Sequence, residues 1–354
     1  MSARVLLTLT DLPVYQNKMF ATAEQARLCP RGDLRLVQDD KTGLVYNADF
    51  DPDLLSYDQS YQNEQGHSEA FRSHLDTVLD LMDRHFAGSR IMEVGCGKGA
   101  FLELLRLRGH DAIGIDPAYE GDAAYILQAR FEPGTGIRAD AIVMRHTLEH
   151  IADPLDFLRT VRDANEGSGL IYIEVPCLDW ILTHKAWFDI FYEHVNYFRL
   201  GDFNRMFGNV IESGRLFGGQ YLYVFADLGS LRDPGNAGLA LEVSIPDDLF
   251  DGIDAAALQA SAGARRIVWG GAAKGVMFAH HAQRRGVTLD FAIDINPAKQ
   301  SMYLAGTGLQ VLSPTLGLER LGAGDDVFVM NSNYLPEIAN LGGDHLNYIT
   351  VDQP

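Results

Sequence analysis

Three short stretches carry the side chains best suited to chemistry. Phe191-Tyr192-Glu193-His194-Val195-Asn196-Tyr197-Phe198 sets a carboxylate, an imidazole, an amide and two phenols among large apolar residues. Imidazole titrates near neutral pH and can act as a general base, and a carboxylate beside it can orient the ring or bind a substrate hydroxyl. The same Glu193-His194 pair would equally serve to cap a helix starting near Leu200. Upstream, Glu93-Val94-Gly95-Cys96-Gly97-Lys98-Gly99 reads as a cofactor loop, because glycines turn tightly and let a ligand approach without meeting Cβ atoms. Cys96 reads as a small apolar filler there. Between the two, Arg145-His146-Thr147-Leu148-Glu149-His150-Ile151 holds histidines at i and i+4. That spacing suits a metal on a helix face, but no clear third ligand accompanies it, so no metal is expected.

The elements around these stretches are those of an α/β protein. Arg90 to Val94 predicts a strand ending at the glycines, Ala100 to Arg108 a helix and Ala112 to Ile115 a second strand. That strand ends in Asp116-Pro117, where an acid can accept hydrogen bonds from ribose hydroxyls. Ala141 to Met144 and Gly169 to Val175 predict further buried strands, and Asp153-Pro154 opens a helix with an N-cap aspartate and proline at its first position. Strands separated by helices imply a mostly parallel sheet, and ligands bind outside the carboxyl ends of such strands. Residues 1–68 read as an irregular lobe with one small hairpin, 69–230 as the cofactor-binding domain and 231–354 as a second, smaller Rossmann-like domain. The last carries its own glycine loop, Gly270-Gly271-Ala272-Ala273-Lys274-Gly275, suited to acceptor binding through Lys274 or to simple helix packing.

Composition narrows the partners. The 354 residues are 47% hydrophobic and carry a formal net charge of -19. So acidic a surface disfavours nucleic acid, and no apolar run reaches the ~20 residues of a membrane span. Three scattered cysteines, Cys29, Cys96 and Cys177, fit a reducing, cytoplasmic setting with neither disulfides nor zinc. A small-molecule acceptor is expected, and the oligomeric state is left open.

Glu93 followed by Gly-x-Gly-x-Gly departs from the dinucleotide pattern and resembles the first motif of class I S-adenosylmethionine (SAM)-dependent methyltransferases. The resemblance implies that Glu93, Gly95, Cys96, Gly97 and Gly99 line the cofactor. It also implies that Asp116 and Pro117 meet its ribose, that Phe131 lies near adenine and that His146 lies at the cofactor edge. The Glu193-His194-x-x-Tyr197-Phe198 signature, Leu148-x-His150-Ile151 and the C-terminal glycine loop are similar to the sugar C-methyltransferases that act on nucleotide-linked 4-keto-deoxysugars. That resemblance implies a Rossmann-like methyltransferase domain, His194 as general base, Glu193, His150 and Tyr192 beside it, and an acceptor bordered by His146, Asn196, Lys274 and tyrosines Tyr57 and Tyr61. Two departures stand out. The family's N-terminal four-cysteine zinc site is reduced to Cys29, which implies a metal-free lobe, and Phe191 stands where the family has a tyrosine. Methylation of oxygen or nitrogen on the same scaffold, or SAM binding without catalysis in an assembly protein, remain as alternatives.

Overall fold

The computed structural model describes residues 3–55, 66–132, 134, 138–238, 240–254 and 263–352. Its strands form three sheets. The N-terminal segment gives β1 (Ala3–Pro13), β2 (Arg31–Asp39) and β3 (Val45–Asn47). Next come β4 (Arg90–Val94), β5 (Asp111–Ile115), β6 (Ile126–Leu127), β7 (Ala141–Arg145) and β8 (Leu170–Pro176). After β9 (Asn196–Tyr197) follow β10 (Val210–Leu216) and β11 (Tyr221–Asp227). The C-terminal part supplies β12 (Arg266–Trp269), β13 (Phe291–Ile293), β14 (Val311–Leu312), β15 (Asp326–Val329) and β16 (Asn347–Thr350).

The central sheet has the order β10-β11-β8-β7-β4-β5-β6. β4 pairs in parallel with both β5 and β7, so strand order reverses there, while β10 and β11 run antiparallel. A crevice opens at such a reversal, beyond the carboxyl ends of the strands. β7 and β8 are almost wholly buried, as expected of strands covered on both faces. One cover is the helix Glu69–His85, whose Phe71, Leu75, Val78, Leu79 and Met82 are buried at helical spacing and whose N-terminus is capped by Ser68. Asp153 caps the helix Pro154–Ala164, its carboxylate accepting from the Asp156 N–H at 2.9 Å. The C-terminal sheet, β14-β13-β12-β15-β16, is parallel throughout and forms a second, smaller Rossmann-like unit.

The N-terminal segment is more regular than its sequence predicts. β1 pairs antiparallel with β2, with irregularities between Val5 and Leu7 and between Leu9 and Leu12. Each shift moves later side chains to the other face, so the period-2 alternation that marks a strand is scrambled. β9 closes this sheet by pairing with β3, Val45 opposite Tyr197 and Tyr46 opposite Asn196. The stretch Phe191–Phe198 is therefore tied to the N-terminal sheet. Among the described residues no helix is long and apolar enough to cross a membrane.

Candidate active site

The first glycine loop leaves β4 at the strand reversal. Gly95 and Gly97 hold φ angles of 77° and 55°, in the left-handed region. A Cβ on Gly95 would lie 2.4 Å from Thr147 Oγ1, so the loop packs directly on the segment after β7. At the end of β5 the Asp116 carboxylate accepts from the Gly97 N–H (2.8 Å) and the Ala118 N–H (2.7 Å), which fixes the loop's shape. Glu93 is buried beneath it, and its Oε2 has no hydrogen-bond partner among the described residues. Burial pushes this carboxyl up to about 7, with Asp116 and Glu174 adding to the rise against the pull of Arg145. Burial also raises the Cys96 thiol far above its usual range, so Cys96 is no nucleophile at neutral pH.

Glu93, Gly95, Cys96 and Gly97 line one end of a cavity of about 370 Å³. Its floor is a buried charge network at the ends of β7 and β8. Glu174 is fully buried and accepts from Tyr172 Oη (2.7 Å), pairs with His74 Nε2 (2.9 Å), and lies 3.4 Å from the Arg145 guanidinium. Burial alone would raise its pKa, but Arg145, His146 and His74 outweigh it and hold the carboxyl well below its ordinary value. His146 Nε2 is 3.2 Å from Glu174 and its Nδ1 is 3.6 Å from Glu149. Desolvation works against charge on this ring, yet the two carboxylates prevail and raise it to about 9, so it is cationic at neutral pH.

Across the floor, the segment after β7 is clasped to the segment before β9. His150 Nδ1 hydrogen-bonds the Glu193 carbonyl (2.8 Å), the Val195 N–H donates to the Glu149 carbonyl (2.8 Å), and Asn196 Nδ2 donates to the Ile151 carbonyl (2.6 Å). This clasp turns His194 into the cavity, its ring 5.1 Å from that of His150 and 3.9 Å from that of Phe191. Desolvation above all, with the neighbouring His150, His146 and Lys274 acting in the same direction, holds the His194 pKa well below its ordinary value. The ring is therefore neutral at neutral pH, and its Nδ1 is buried with no hydrogen-bond partner among the described residues. From the C-terminal unit, Lys274 reaches Asp189 in an ion pair of 3.0 Å that lies off the hydrogen-bond angle, and its ammonium sits over the Trp180 and Phe188 rings.

The residues singled out from sequence divide into two groups. Glu93, Gly95, Cys96, Gly97, His146, His150, His194 and Lys274 all line the one cavity. Glu193, Tyr192 and Asn196 do not line it. The Glu193 carboxylate accepts from the Gln16 N–H (3.0 Å) and is fully buried against the N-terminal sheet. Tyr192 packs on Gly32, its hydroxyl accepting from the Asp51 N–H (2.8 Å), and the Asn196 amide is spent on the clasp. A turn at Tyr192-Glu193, closed by the His194 N–H donating to the Phe191 carbonyl (3.2 Å), sends Glu193 to one side and His194 to the other. Nor does the pair cap the helix Leu200–Met206, because the Asp202 carboxylate takes the Arg199 N–H there (2.9 Å). Gly99, Asp116, Pro117 and Phe131 also lie outside the cavity lining, Phe131 being buried edge-to-face on Phe157. Tyr57 and Tyr61 fall outside the described residues. Sequence reasoning passed over Glu149, Glu174 and Asp189. The readable sign for Glu174 was a carboxylate in the middle of the apolar run Ile171-Tyr172-Ile173-Glu174-Val175.

Residues 66–210 match a methyltransferase domain. Beyond that family profile, the chain is similar to the C-methyltransferase NovU of Streptomyces niveus, 28% identical over 45% of this chain and 41% of that protein. It is also similar to the ubiquinone biosynthesis O-methyltransferase of Ruegeria pomeroyi, 30% identical over 25% of this chain and 41% of that protein. The alignments thus span less than half the length of these curated relatives. Among solved structures, a SAM-dependent methyltransferase from Archaeoglobus fulgidus overlaps 45% of this chain and 96% of its own at 20% identity, with a TM-score of 0.35.

Proposed function

We propose that this protein is a SAM-dependent methyltransferase acting on a polar small molecule, with a carbon of a nucleotide-linked keto sugar as the methylated atom. In this reading residues 69–230 hold the cofactor and residues 231–354 cover the acceptor. The observation that carries the reading is His194, a neutral, desolvated imidazole facing one cavity with the glycine loop after β4. The match of residues 66–210 to a methyltransferase domain and the likeness to a C-methyltransferase support it.

SAM bound on the glycine loop supplies an electrophilic methyl group on its sulfonium. His194 removes a proton from the carbon beside the acceptor carbonyl, and the resulting enolate carbon takes the methyl, releasing S-adenosylhomocysteine. The imidazolium then returns its proton to solvent. Charge that develops on the acceptor oxygen is stabilised by positive charge already in place, and the cationic His146, whose two ring nitrogens face Glu149 and Glu174, supplies that charge at the cavity floor. Phe191 offers no hydroxyl, but its ring covers His194 and keeps it dry.

The test is turnover of SAM with a panel of nucleotide-linked keto sugars, with the new methyl located by NMR. His194→Gln should lower kcat by at least about a thousandfold while SAM still binds. Wild-type rates in that variant would remove His194 as base, and a methyl found on oxygen or nitrogen would remove the carbon assignment.

A further inference from the structure

The cavity holds a constellation that the proposed reaction uses only in part. Glu149, His150 and His194 each present one ligand atom, and all three atoms lie within 4.8 Å of one another. Glu149 is 1% exposed, and neither carboxylate oxygen has a hydrogen-bond partner among the described residues; its nearest cation is His146 Nδ1 at 3.6 Å. A buried carboxylate so poorly partnered is costly, and a bound cation would offset that cost. His150 donates Nδ1–H to the Glu193 carbonyl at 2.8 Å, a tautomer that places the ring's lone pair on Nε2. Metal-binding imidazoles are held in this way, the second nitrogen fixed by a backbone carbonyl. His194 Nδ1 is buried with no hydrogen-bond partner among the described residues.

We propose that Glu149, His150 and His194 form a two-histidine, one-carboxylate site for a divalent transition-metal ion of the Zn²⁺ class, and that such an ion competes with methyl transfer by occupying the His194 lone pair. Two imidazoles select Zn²⁺, Co²⁺ or Ni²⁺ over Mg²⁺ and Ca²⁺, which prefer all-oxygen ligands. Bonds of ~2.0–2.1 Å place tetrahedral ligand atoms about 3.4 Å apart, so the widest pair must close by about 1.4 Å at most. Rotation about the Glu149 side-chain torsions can bring its oxygens towards the two rings, because no hydrogen bond among the described residues holds them elsewhere. The remaining coordination positions face the cavity, where the acceptor would sit. The binding claim stands apart from the proposed activity, whereas the competition rests on His194 being the base.

Titration of the full chain with Co²⁺ alone reads the site through its visible absorption bands. A saturable signal at one equivalent is expected, displaced by Zn²⁺, and weakened at least tenfold in Glu149→Gln and in His150→Ala while SAM affinity and Tm are kept. Should His150→Ala unfold through loss of the clasp, His194→Gln reads the same site from its other ligand. In turnover assays Zn²⁺ should inhibit, and EDTA should restore the rate. Absence of a signal, or equal Co²⁺ binding in wild type and all variants, overturns the site. Triad-dependent Co²⁺ binding with undiminished methyl transfer overturns the competition and the base role together. Triad-dependent binding in a protein that transfers no methyl group leaves the metal site standing and removes the proposed activity.

Discussion

The two glycine loops are built on one plan and put to different uses. Each follows the first strand of a parallel unit, and in each an aspartate at the end of the next strand accepts a loop N–H at 2.8 Å: Asp116 from Gly97, and Asp294 from Gly271. The surroundings differ. Around the first loop a Cβ on Gly97 would meet open space, and a partly unpartnered acid, Glu93, lies buried at the cavity wall. In the second, a Cβ on Gly275 would come 1.9 Å from the Gly270 carbonyl oxygen, so the helix Ala273–Arg284 rests on its own loop. Its acid is also paired with Lys299 (3.5 Å), and its Lys274 is extended to Asp189, five residues before His194. Both loops line the one cavity, and the second also braces the segment that leads to His194. Topology is shared, and the flanking side chains set the role.

The largest expected effect comes from filling each loop with one methyl group. Gly95→Ala adds a Cβ 2.4 Å from Thr147 at a φ of 77° and should weaken SAM binding by about a hundredfold or more, about 2.7 kcal/mol. Gly275→Ala should instead lower stability by about 1–3 kcal/mol through overpacking against backbone, with SAM affinity changed little. Calorimetric binding together with thermal unfolding separates the two. A Gly275→Ala protein that keeps its Tm but loses SAM would reverse the comparison.

Much of this arrangement was legible in the sequence, and the remainder was hidden for physical reasons. β4, β5, β7 and β8 stood out as apolar runs between helical periods, and Asp153-Pro154 marked a helix start that the structure keeps. β1 was hidden by its irregular register, and β9 by being two residues long. Glu193 and His194 looked like a functional pair because they are adjacent, yet the carboxylate is claimed by Gln16, 177 residues away along the chain. No local pattern encodes such a contact. The clasp between Glu149–Ile151 and Glu193–Asn196 is equally long-range, so the sequence showed two histidine-bearing stretches but not that His150 and His194 meet.

A smaller effect sharpens the first loop's side of the comparison. In the cofactor-free protein Glu93 titrates at about 7, raised chiefly by burial. Its proton therefore stabilises the fold below the ordinary carboxylate range, and that stabilisation is lost as pH rises through about 7. A ligand carrying an ammonium group near Glu93 favours the ionised carboxylate, so SAM affinity should improve by roughly five- to tenfold from pH 6 to pH 7.5. Glu93→Gln should flatten that dependence. An unchanged slope in the variant would place the ammonium elsewhere in the cavity.

The smallest effect belongs to the second loop and reports on its bracing role. Lys274 is one of the positive charges that depress the His194 pKa, and it holds Asp189 within the buried segment Trp187–Asp189. Lys274→Met removes that charge, so His194 should bind its proton more readily and the acid limb of the kcat profile should move to higher pH by less than about one unit. Rates should fall several-fold only on the acid limb itself, well below pH 6, with little change at pH 8. Lys274→Arg keeps the charge and should restore the limb even where its longer side chain loosens the pair with Asp189. A loss of rate equal at all pH values in Lys274→Met, with KM for the acceptor raised in parallel, would instead make Lys274 a ligand for the acceptor, and the second loop would then bind as the first one does.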